Sequence, residues 1–450
     1  MTEGKKRLSL ARKIVFALGQ YGWSLTTFLA NNLLAYFYLP PETSGEGIPA
    51  FVPRGSILGF FTVVGIAAFA ARLFDAVNDP LIAGWSDRSR SRFGRRRIFM
   101  LIGALPAVLF ALAQFAPPIA GVSPLNVTWL FATSLLGTVF LTMYVMPYNA
   151  LIAEFGADSA DRLFLSALTS VTWALGFASG NAVYAIKDAL QAGGAAPLDA
   201  FRMATAALGA LALAAMLLPV FAINERKYAS GGVSDTPAFS AVAAALADRP
   251  FRTLVGASFL YYTANTFLEI GIAYYVTALM GLPDAQAFVL AAAIFGLSFL
   301  WYLPVVRLAD RHGKKRVLLA AFAAQAAVFA VIPAVGAVPG VPTTVWVAFI
   351  AVVQSAASAA FGILPTAMVA DAARSRSESG GASIEGAYFG VNSFMMKLAV
   401  STANLAFPSL LLLGRSAEHA GGIRLSGVVA AVLTLAGFFV LRGYEEQSRR

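Results

Sequence analysis

The sequence predicts an all-α membrane protein with twelve transmembrane helices arranged in two six-helix halves. Of its 450 residues, 58% are hydrophobic and 12% are charged, whereas a soluble domain carries about 25% charged residues. Each apolar run, at about 1.5 Å per helical residue, is long enough to cross about 30 Å of hydrocarbon. A basic motif also recurs six spans further along the chain, which is typical of two related halves.

Taken in order, the apolar runs divide the chain into two halves and a connection between them. We expect the first half to cover 1–222 and the second 251–450, joined at 223–250 by a cytoplasmic linker that contains a surface helix. The spans are expected at roughly 14–39, 56–84, 98–115, 127–152, 163–186, 201–222, 251–279, 287–306, 317–337, 343–371, 387–413 and 425–442.

The distribution of basic residues predicts the orientation. Of the 33 Lys and Arg residues, 26 lie at the termini or in the loops on one side, and only five lie in loops on the other. An excess of Lys and Arg marks the cytoplasmic side of a membrane. We therefore expect a multi-pass protein of the inner (plasma) membrane with both termini in the cytoplasm, and we expect it to be a monomer.

The composition argues against several classes of function. The chain has no cysteine, and its two histidines, His312 and His419, lie outside the spans, so thiol chemistry, zinc and haem are not expected. The net charge of +10 belongs to membrane-flanking loops, so nucleic acid is not an expected partner. No nucleophile–base pair is apparent, so we expect no enzyme and no cofactor beyond a coupling ion.

The second span carries three charges, Arg72, Asp75 and Asp79, in the middle of an apolar run. Each costs about 2.5–3.5 kcal/mol at mid-bilayer on insertion scales, so such residues usually have a function. At i and i+4 both carboxylates share one helix face, with Asn78 beside them, and Pro80 frees a backbone carbonyl. Hard oxygens suit a small cation. The stretch predicts a coupling site for sodium or a proton; the alternative is a structural ion pair of Arg72 with the carboxylates.

Other polar residues inside spans extend this prediction. Thr142, in span 4, could give a hydroxyl oxygen to the same cation. Lys397 lies about ten residues into span 11, so we expect it to pair with Asp75 or Asp79 or to contact the solute, the alternative being that it extends to an interface. Glu269, in span 7, is expected to be protonated, to carry the coupling proton or to meet the solute; the alternative is a carboxylate facing a water-filled cavity.

Aromatic and amide side chains recur along several spans. Aromatic faces beside amides suit sugar rings, which need stacking and hydrogen bonds in a preformed pocket, although aromatic residues also simply pack helices. We expect spans 1, 4, 5, 7 and 11 to line a central solute cavity. With Glu269, its predicted lining comprises Trp23, Tyr148, Asn149, Trp173, Asn265 and Asn392.

The recurring basic motif lies where spans 2 and 8 end. One copy runs from Gly84 to Arg97 and the other from Arg307 to Arg316. One interpretation is a basic anchor on the cytoplasmic side. The other is a gate, in which Asp side chains pair with neighbouring Arg and with helix N-termini and hold this face closed. The residues of such a gate would be Asp87, Arg88, Arg95, Arg96, Asp310 and Arg311.

The stretch from Asp75 to Pro80, with Gly84 through Arg97, resembles the glycoside–pentoside–hexuronide:cation symporters of the major facilitator superfamily, of which the melibiose permeases are the type members. Matching motifs at 147–151 and 385–397 extend the resemblance over nearly the whole chain. It implies the major facilitator fold, and a sodium or proton site at Asp75 and Asp79 assisted by Thr142.

The galactoside-binding residues of the melibiose permeases do not carry over to this chain. Their positions here are occupied by Ser24, Val145, Asn149 and a residue near Ser170. The resemblance therefore leaves other sugars open, and also lipids, because animal lysolipid transporters share the fold and the span 2 carboxylates.

Three functions remain to be compared. The first is a cation-coupled symporter that moves a small polar solute, a sugar or glycoside, by alternating access. The second is a symporter or flippase for a lysolipid or another amphipathic lipid, for which a cavity open to the bilayer would be expected. The third is a membrane receptor or scaffold on the same fold, and the carboxylates of span 2 argue against it.

Overall fold

The structure, a computed structural model, describes residues 7–42, 47–57, 59–156, 159–228, 247–378 and 385–444. Within these ranges the regular structure is helical, apart from one isolated bridge between Ile57 and Phe61. The chain divides into two compact units, one formed by Met1–Pro40 with Gly45–Ser234 and the other by Pro41–Ser44 with Asp235–Arg450.

The helices of the first unit form spans 1 to 6 and the beginning of the linker. They are α1 Leu10–Asn31, α2 Leu33–Tyr38, α3 Val63–Arg88, α4 Arg97–Ala113, α5 Pro124–Phe155, α6 Ser159–Gly180, α7 Ala182–Ala192, α8 Pro197–Ala222 and α9 Glu225–Tyr228.

The helices of the second unit form spans 7 to 12. They are α10 Arg249–Tyr274, which continues as a π-helical turn at Tyr275–Leu279, α11 Ala285–His312, α12 Lys314–Val331, α13 Thr343–Glu378, α14 Glu385–Leu410 and α15 Gly421–Arg442. Together the described helices account for the twelve predicted spans.

The two halves pack their spans in the same pairs. In the first half α1 (span 1) packs against α6 and α8, α3 packs against α5, and α4 packs against α5 and α8. In the second half α10 packs against α14 and α15, α11 against α13, and α12 against α13 and α15. Because each pair in one half corresponds to a pair six spans further on, the repeat seen in the loop motif extends to the packing of whole helices.

Polar residues distinguish some spans from the rest. Within the described ranges, eight helices are long and apolar enough to cross a membrane, and Arg97–Ala113 is a shorter apolar helix. Spans 1, 2 and 7 do not meet these criteria because they carry charged, amide, hydroxyl and tyrosine side chains. These spans hold many of the predicted site residues, as expected if polar groups are kept inside a membrane for a function.

The boundaries of several spans differ from the prediction for local reasons. Span 2 begins at Val63 and not near 56, because the Thr62 hydroxyl accepts a hydrogen bond from the Gly65 N–H and caps the helix there. Span 1 is interrupted at Asn32 and span 5 at Asn181. Each interruption lies at an asparagine, a residue that favours turns over helix interiors.

The first residues of the predicted linker pack against the first half. Ile223 and Tyr228 belong to its core, and the Tyr228 hydroxyl accepts a hydrogen bond from Arg12 Nη1 at 2.7 Å. The surface helix predicted near 238–247 falls almost entirely outside the described residues. The described end of the first half is therefore a packed turn of helix and not an extended connection.

Candidate cation and solute sites

The contact between α3 and α5 brings two of the predicted cation ligands together. Thr142 Oγ1, on α5, donates a hydrogen bond to Asp75 Oδ1, on α3, at 2.8 Å. Both residues are buried, at 2% and 8% exposure. Because both helices are continuous at these positions, the hydroxyl and the carboxylate are held by rigid elements, as an ion-binding site requires.

The neighbours of Asp75 complete a polar group on the same helix. Arg72 Nη1 lies 3.8 Å from Asp75 Oδ2, a long ion pair. Asn78 is buried, and its Nδ2 has no hydrogen-bond partner within the described part of the chain. Asp79 follows one turn after Asp75 and is partly exposed. The geometry thus contains the ion pair of the alternative interpretation together with the oxygen atoms of the predicted cation site.

A small, partly open cavity of about 20 Å³ lies beside this group in the first half. A polar cavity of this size holds about one water molecule. Its polar lining consists of Thr26, Asn31, Arg72, Asp75, Gln114, Ser134 and Thr138. The described residues contain no group of three or more His, Asp or Glu side chains that could hold a metal, so neutral oxygens would have to complete the shell of any cation bound at Asp75 and Asp79.

The predicted solute residues of the first half differ in accessibility. Tyr148 is fully buried, stacks on Phe16 with the ring centroids 4.3 Å apart, and donates a hydrogen bond to the Phe16 carbonyl. It therefore has no side-chain surface to offer a solute in this conformation. Asn149 is exposed, and Trp23 and Trp173 are partly exposed, so these three remain available for the predicted role.

The predicted solute residues of the second half include one hydrogen-bonded pair. Asn265 Nδ2 donates to Glu269 Oε1 at 2.8 Å, and both residues are partly exposed. Asn392 and Lys397 are also partly exposed, on α14. Lys397 belongs to the second unit and Asp75 to the first, so their pairing stays a prediction.

The gate residues of the first half do lie together. Asp87 Oδ1 accepts from Arg96 Nη2 at 2.9 Å, Arg96 lies 3.0 Å from Glu154, and Arg95 also pairs with Glu154. Arg88 is exposed in the last turn of α3.

The N-terminus of α4 is capped by a residue from the linker and not by Asp87. Glu225 is 3% exposed, and its Oε2 accepts hydrogen bonds from the N–H groups of Arg96 and Arg97, both at 3.0 Å. Gly94 precedes this turn with φ +123°, and a Cβ at that position would collide with the Glu225 carboxylate. Glycine is therefore required for the carboxylate to reach the helix end.

The second copy of the motif forms a simpler arrangement. Lys314, which follows the motif glycine as Arg95 does, pairs with Asp371 near the end of span 10, as Arg95 pairs with Glu154 near the end of span 4. Gly313 has φ +88°, like its counterpart Gly94. Asp310 and Arg311 are exposed. In each half, therefore, a basic residue of the motif forms an ion pair with a carboxylate near the end of a later span, span 4 in the first half and span 10 in the second. A gating function for either copy stays a prediction.

Two polar groups were not singled out from the sequence. Lys187 was assigned to a loop, but it is 2% exposed and donates a hydrogen bond from Nζ to the Tyr36 hydroxyl at 2.8 Å. Gln354, on α13, is fully buried and contacts Asn265. The i, i+4 spacing of Val183 and Lys187 on one helix face is a signal that could have placed the lysine inside the protein.

A family model described as MFS/sugar transport protein matches residues 15–413 of the chain. The chain belongs to this family. It is a family of transport proteins and not of enzymes, and it agrees with the resemblance found in the motifs. The solved structure of the nucleoside transporter NupG aligns with this family member over 97% of the chain and 99% of NupG, with a TM-score of 0.65 and 12% identity. The twelve-helix major facilitator fold is thereby confirmed.

Curated relatives match parts of this family member. It is 33% identical over 166 residues to an uncharacterized symporter of Synechocystis, covering 36% of the chain and 28% of the relative. It is 22% identical over 321 residues to the isoprimeverose transporter of Lactiplantibacillus pentosus, covering 70% and 62%. It is 27% identical over 182 residues to the sodium-dependent lysophosphatidylcholine symporter 1 of Xenopus tropicalis, covering 40% and 31%. The chain spans less than two thirds of the length of each.

Proposed function

We propose that this family member is a secondary active transporter, a symporter that couples a sodium ion or a proton to the uptake of a small sugar or glycoside. The observation that carries the proposal is the hydrogen bond from Thr142 Oγ1 to Asp75 Oδ1. It joins two predicted cation ligands from different helices, at a place where a buried carboxylate would otherwise be costly.

The charge balance of this group explains how a cation would drive transport. Asp75 and Asp79 together carry two negative charges when ionised, and Arg72 can compensate one of them. A bound cation neutralises the remainder, so the protein can change conformation without moving an uncompensated charge through a medium of low dielectric constant. If the solute binds best to the same neutral state, the two ligands stabilise each other, which is the definition of coupling.

The proposed solute class is supported by the family and by the predicted lining. The family description names sugar transport, and the relative from Lactiplantibacillus pentosus is an isoprimeverose transporter. Asn149, Trp23 and Trp173 retain accessible surface in the first half, as do Asn265 and Glu269 in the second. Amide, carboxylate and aromatic groups of this kind can bind the hydroxyl groups and apolar faces of a sugar ring.

A second candidate is the transport of a lysolipid. The relative from Xenopus tropicalis is a sodium-dependent lysophosphatidylcholine symporter. The sugar proposal and the lipid proposal share the coupling site and differ in the solute.

A single experiment tests both proposals. The purified protein is reconstituted in liposomes, and uptake of radiolabelled isoprimeverose or lysophosphatidylcholine is measured under an inward sodium gradient, an inward proton gradient, or neither. We expect isoprimeverose to accumulate under one of the gradients only. Accumulation of lysophosphatidylcholine alone would select the second candidate, and solute uptake that no gradient accelerates would contradict cation coupling.

A further inference from the structure

Two helices of the second half form a relay of three polar side chains. On α10, Asn265 and Glu269 are one turn apart, and Asn265 Nδ2 donates to Glu269 Oε1 at 2.8 Å. On α13, Gln354 Nε2 donates to Asn265 Oδ1 at 3.3 Å and to the Ser358 hydroxyl at 3.3 Å. Gln354 is completely buried, whereas Asn265 and Glu269 are partly exposed.

The polarity of the relay follows from the chemistry of the amide groups. An amide has a donor end and an acceptor end of nearly the same shape, so an asparagine by itself could present either end to Glu269. Because Gln354 donates to Asn265 Oδ1, the NH₂ end of Asn265 must face the carboxylate. A donor in this position stabilises an ionised carboxylate, whereas the carbonyl end would repel it.

The orientation of Gln354 itself is unfavourable in one respect. Its NH₂ group uses both donors, but its Oε1 is buried and has no hydrogen-bond partner among the described residues. A buried acceptor without a partner costs stability, so an orientation that leaves one calls for an explanation. The explanation is that the NH₂ end of Gln354 must face Asn265 Oδ1.

We propose that Gln354 is a positioning residue that orients Asn265, so that Glu269 is presented to the solute as an ionised acceptor. The inference rests on the proposed function and deepens it. A carboxylate can only accept hydrogen bonds, so its partner on the solute must be a donor group, and on a neutral sugar that donor is a hydroxyl. The relay therefore assigns to the second half a site for a hydroxyl group of the solute.

The test reverses the direction of the hydrogen bonds in the relay. Gln354→Glu places an acceptor where the donor was, so the Asn265 amide must turn and present its carbonyl to Glu269. The double variant Gln354→Glu with Glu269→Gln restores both hydrogen bonds with opposite polarity and keeps the net charge. It leaves no carboxylate at position 269. Stability and solute recognition can thus be measured separately, because only solute recognition requires a carboxylate at position 269.

Three measurements decide the proposal. Thermal unfolding without solute measures the relay itself. We expect Gln354→Glu to lower the melting temperature and the double variant to recover part of that loss, because both carry the cost of a buried carboxylate at position 354 and only the double variant restores the hydrogen bonds. The infrared carboxylate band of Glu269, identified by its loss in Glu269→Gln, is expected to shift in Gln354→Leu. Uptake of radiolabelled isoprimeverose is expected to fall about tenfold in Gln354→Leu. In the double variant uptake is expected to be lost, because no carboxylate remains at position 269.

The matched control is Gln325→Leu. Gln325, on α12, is also a fully buried glutamine of the second half, and neither polar atom of its side chain has a hydrogen-bond partner in the described ranges. Its replacement should not lower the melting temperature, shift the Glu269 band or reduce uptake.

Each contrary result has a definite meaning. A double variant no more stable than Gln354→Glu, or an unshifted band in Gln354→Leu, would overturn the relay. Restored uptake in the double variant would overturn the role of the Glu269 carboxylate in recognition. Absence of isoprimeverose uptake by the unaltered protein would count against the proposed function, while the stability and infrared results would still decide whether Gln354 positions Glu269.

Discussion

The smallest unit that bears on the proposed coupling is one hydroxyl group. Thr142 was selected because it lies in span 4 and because the resemblance assigns a threonine there to the cation site. The structure places it 2.8 Å from Asp75, on a neighbouring helix. Most other buried threonines of the first half bond to backbone carbonyls of their own helix, as Thr133 does to the Trp129 carbonyl. Thr142 is distinguished by bonding to a carboxylate on another helix.

Replacing Thr142 by valine should weaken sodium binding and leave the fold intact. Valine has almost the same shape but no hydroxyl, so a bound sodium ion would lose one oxygen ligand, worth about 1.5 kcal/mol, and the apparent sodium affinity should fall about tenfold. If the coupling ion is a proton, its affinity should instead rise, because the ionised Asp75 carboxylate loses the hydrogen bond that stabilises it. The affinity is measured from the rise in melting temperature with sodium concentration, or from uptake as a function of external pH. Thr133→Val is the control, and an equal effect in both variants would exclude a specific role for Thr142.

Neutralising Asp79 should uncouple transport. Asp79→Asn removes one charge, so the protein can change conformation without the cation, and we expect solute binding to persist while accumulation against a gradient is lost. Counterflow and gradient-driven uptake in proteoliposomes separate these two activities. Asp75→Asn should have the same effect or a larger one. Concentrative uptake with unchanged cation dependence in either variant would return these residues to the role of a structural ion pair.

At the scale of helices, the two copies of the loop motif differ in burial. The carboxylate of Glu154 is 9% exposed and lies between Arg95 and Arg96, whereas Asp371 is 58% exposed and, among the described residues, pairs with Lys314. A partly exposed pair gains little because water competes for both charges. A buried carboxylate is different, because its removal leaves arginines without their counter-charge in a medium of low dielectric constant.

The corresponding substitutions should therefore have unequal costs. Glu154→Gln is expected to lower the free energy of unfolding by about 3 kcal/mol, and Asp371→Asn by about 0.5 kcal/mol. Denaturation of the two purified variants in the same detergent measures the difference. Equal costs would mean that the burial of Glu154 has no energetic consequence, and the two copies would then be equivalent anchors.

At the scale of the whole molecule, much of the architecture could be predicted because membrane helices are long and apolar. Twelve spans, two halves and the repeat of the loop motif follow from hydrophobicity and spacing. The breaks at Asn32 and Asn181 and the capped start of α3 at Thr62 could not be predicted, because each depends on local turns and caps within a continuous apolar run.

The candidate sites were predictable to a lesser degree. Asp75, Asp79 and Thr142 stood out because charges inside a span are rare and because the motif around them is distinctive. Tyr148 was assigned to the solute cavity, but periodicity cannot say which side of a helix faces a cavity and which faces the core. Gln354 was missed for a related reason, since its function depends on a contact with another helix.

The predicted orientation can be tested across the whole chain because the protein contains no cysteine. A cysteine introduced at Ser230, in the 6–7 linker, should react with a membrane-impermeant maleimide only after the cells are opened. A cysteine at Ala417, an exposed residue in the loop before span 12, should react in intact cells. Reaction of the Ser230 variant from outside would overturn the predicted topology.

The packing of Glu225 and Tyr228 has a consequence for dividing the protein into two polypeptides. The first half needs these residues to close its core and to cap α4, although they come after its last span. If the gene were split and the two parts produced together, a first fragment ending at residue 228 should assemble into a stable protein. A fragment ending at residue 222 should be degraded, because the start of α4 would lack its carboxylate and the Arg12 side chain would lack its tyrosine.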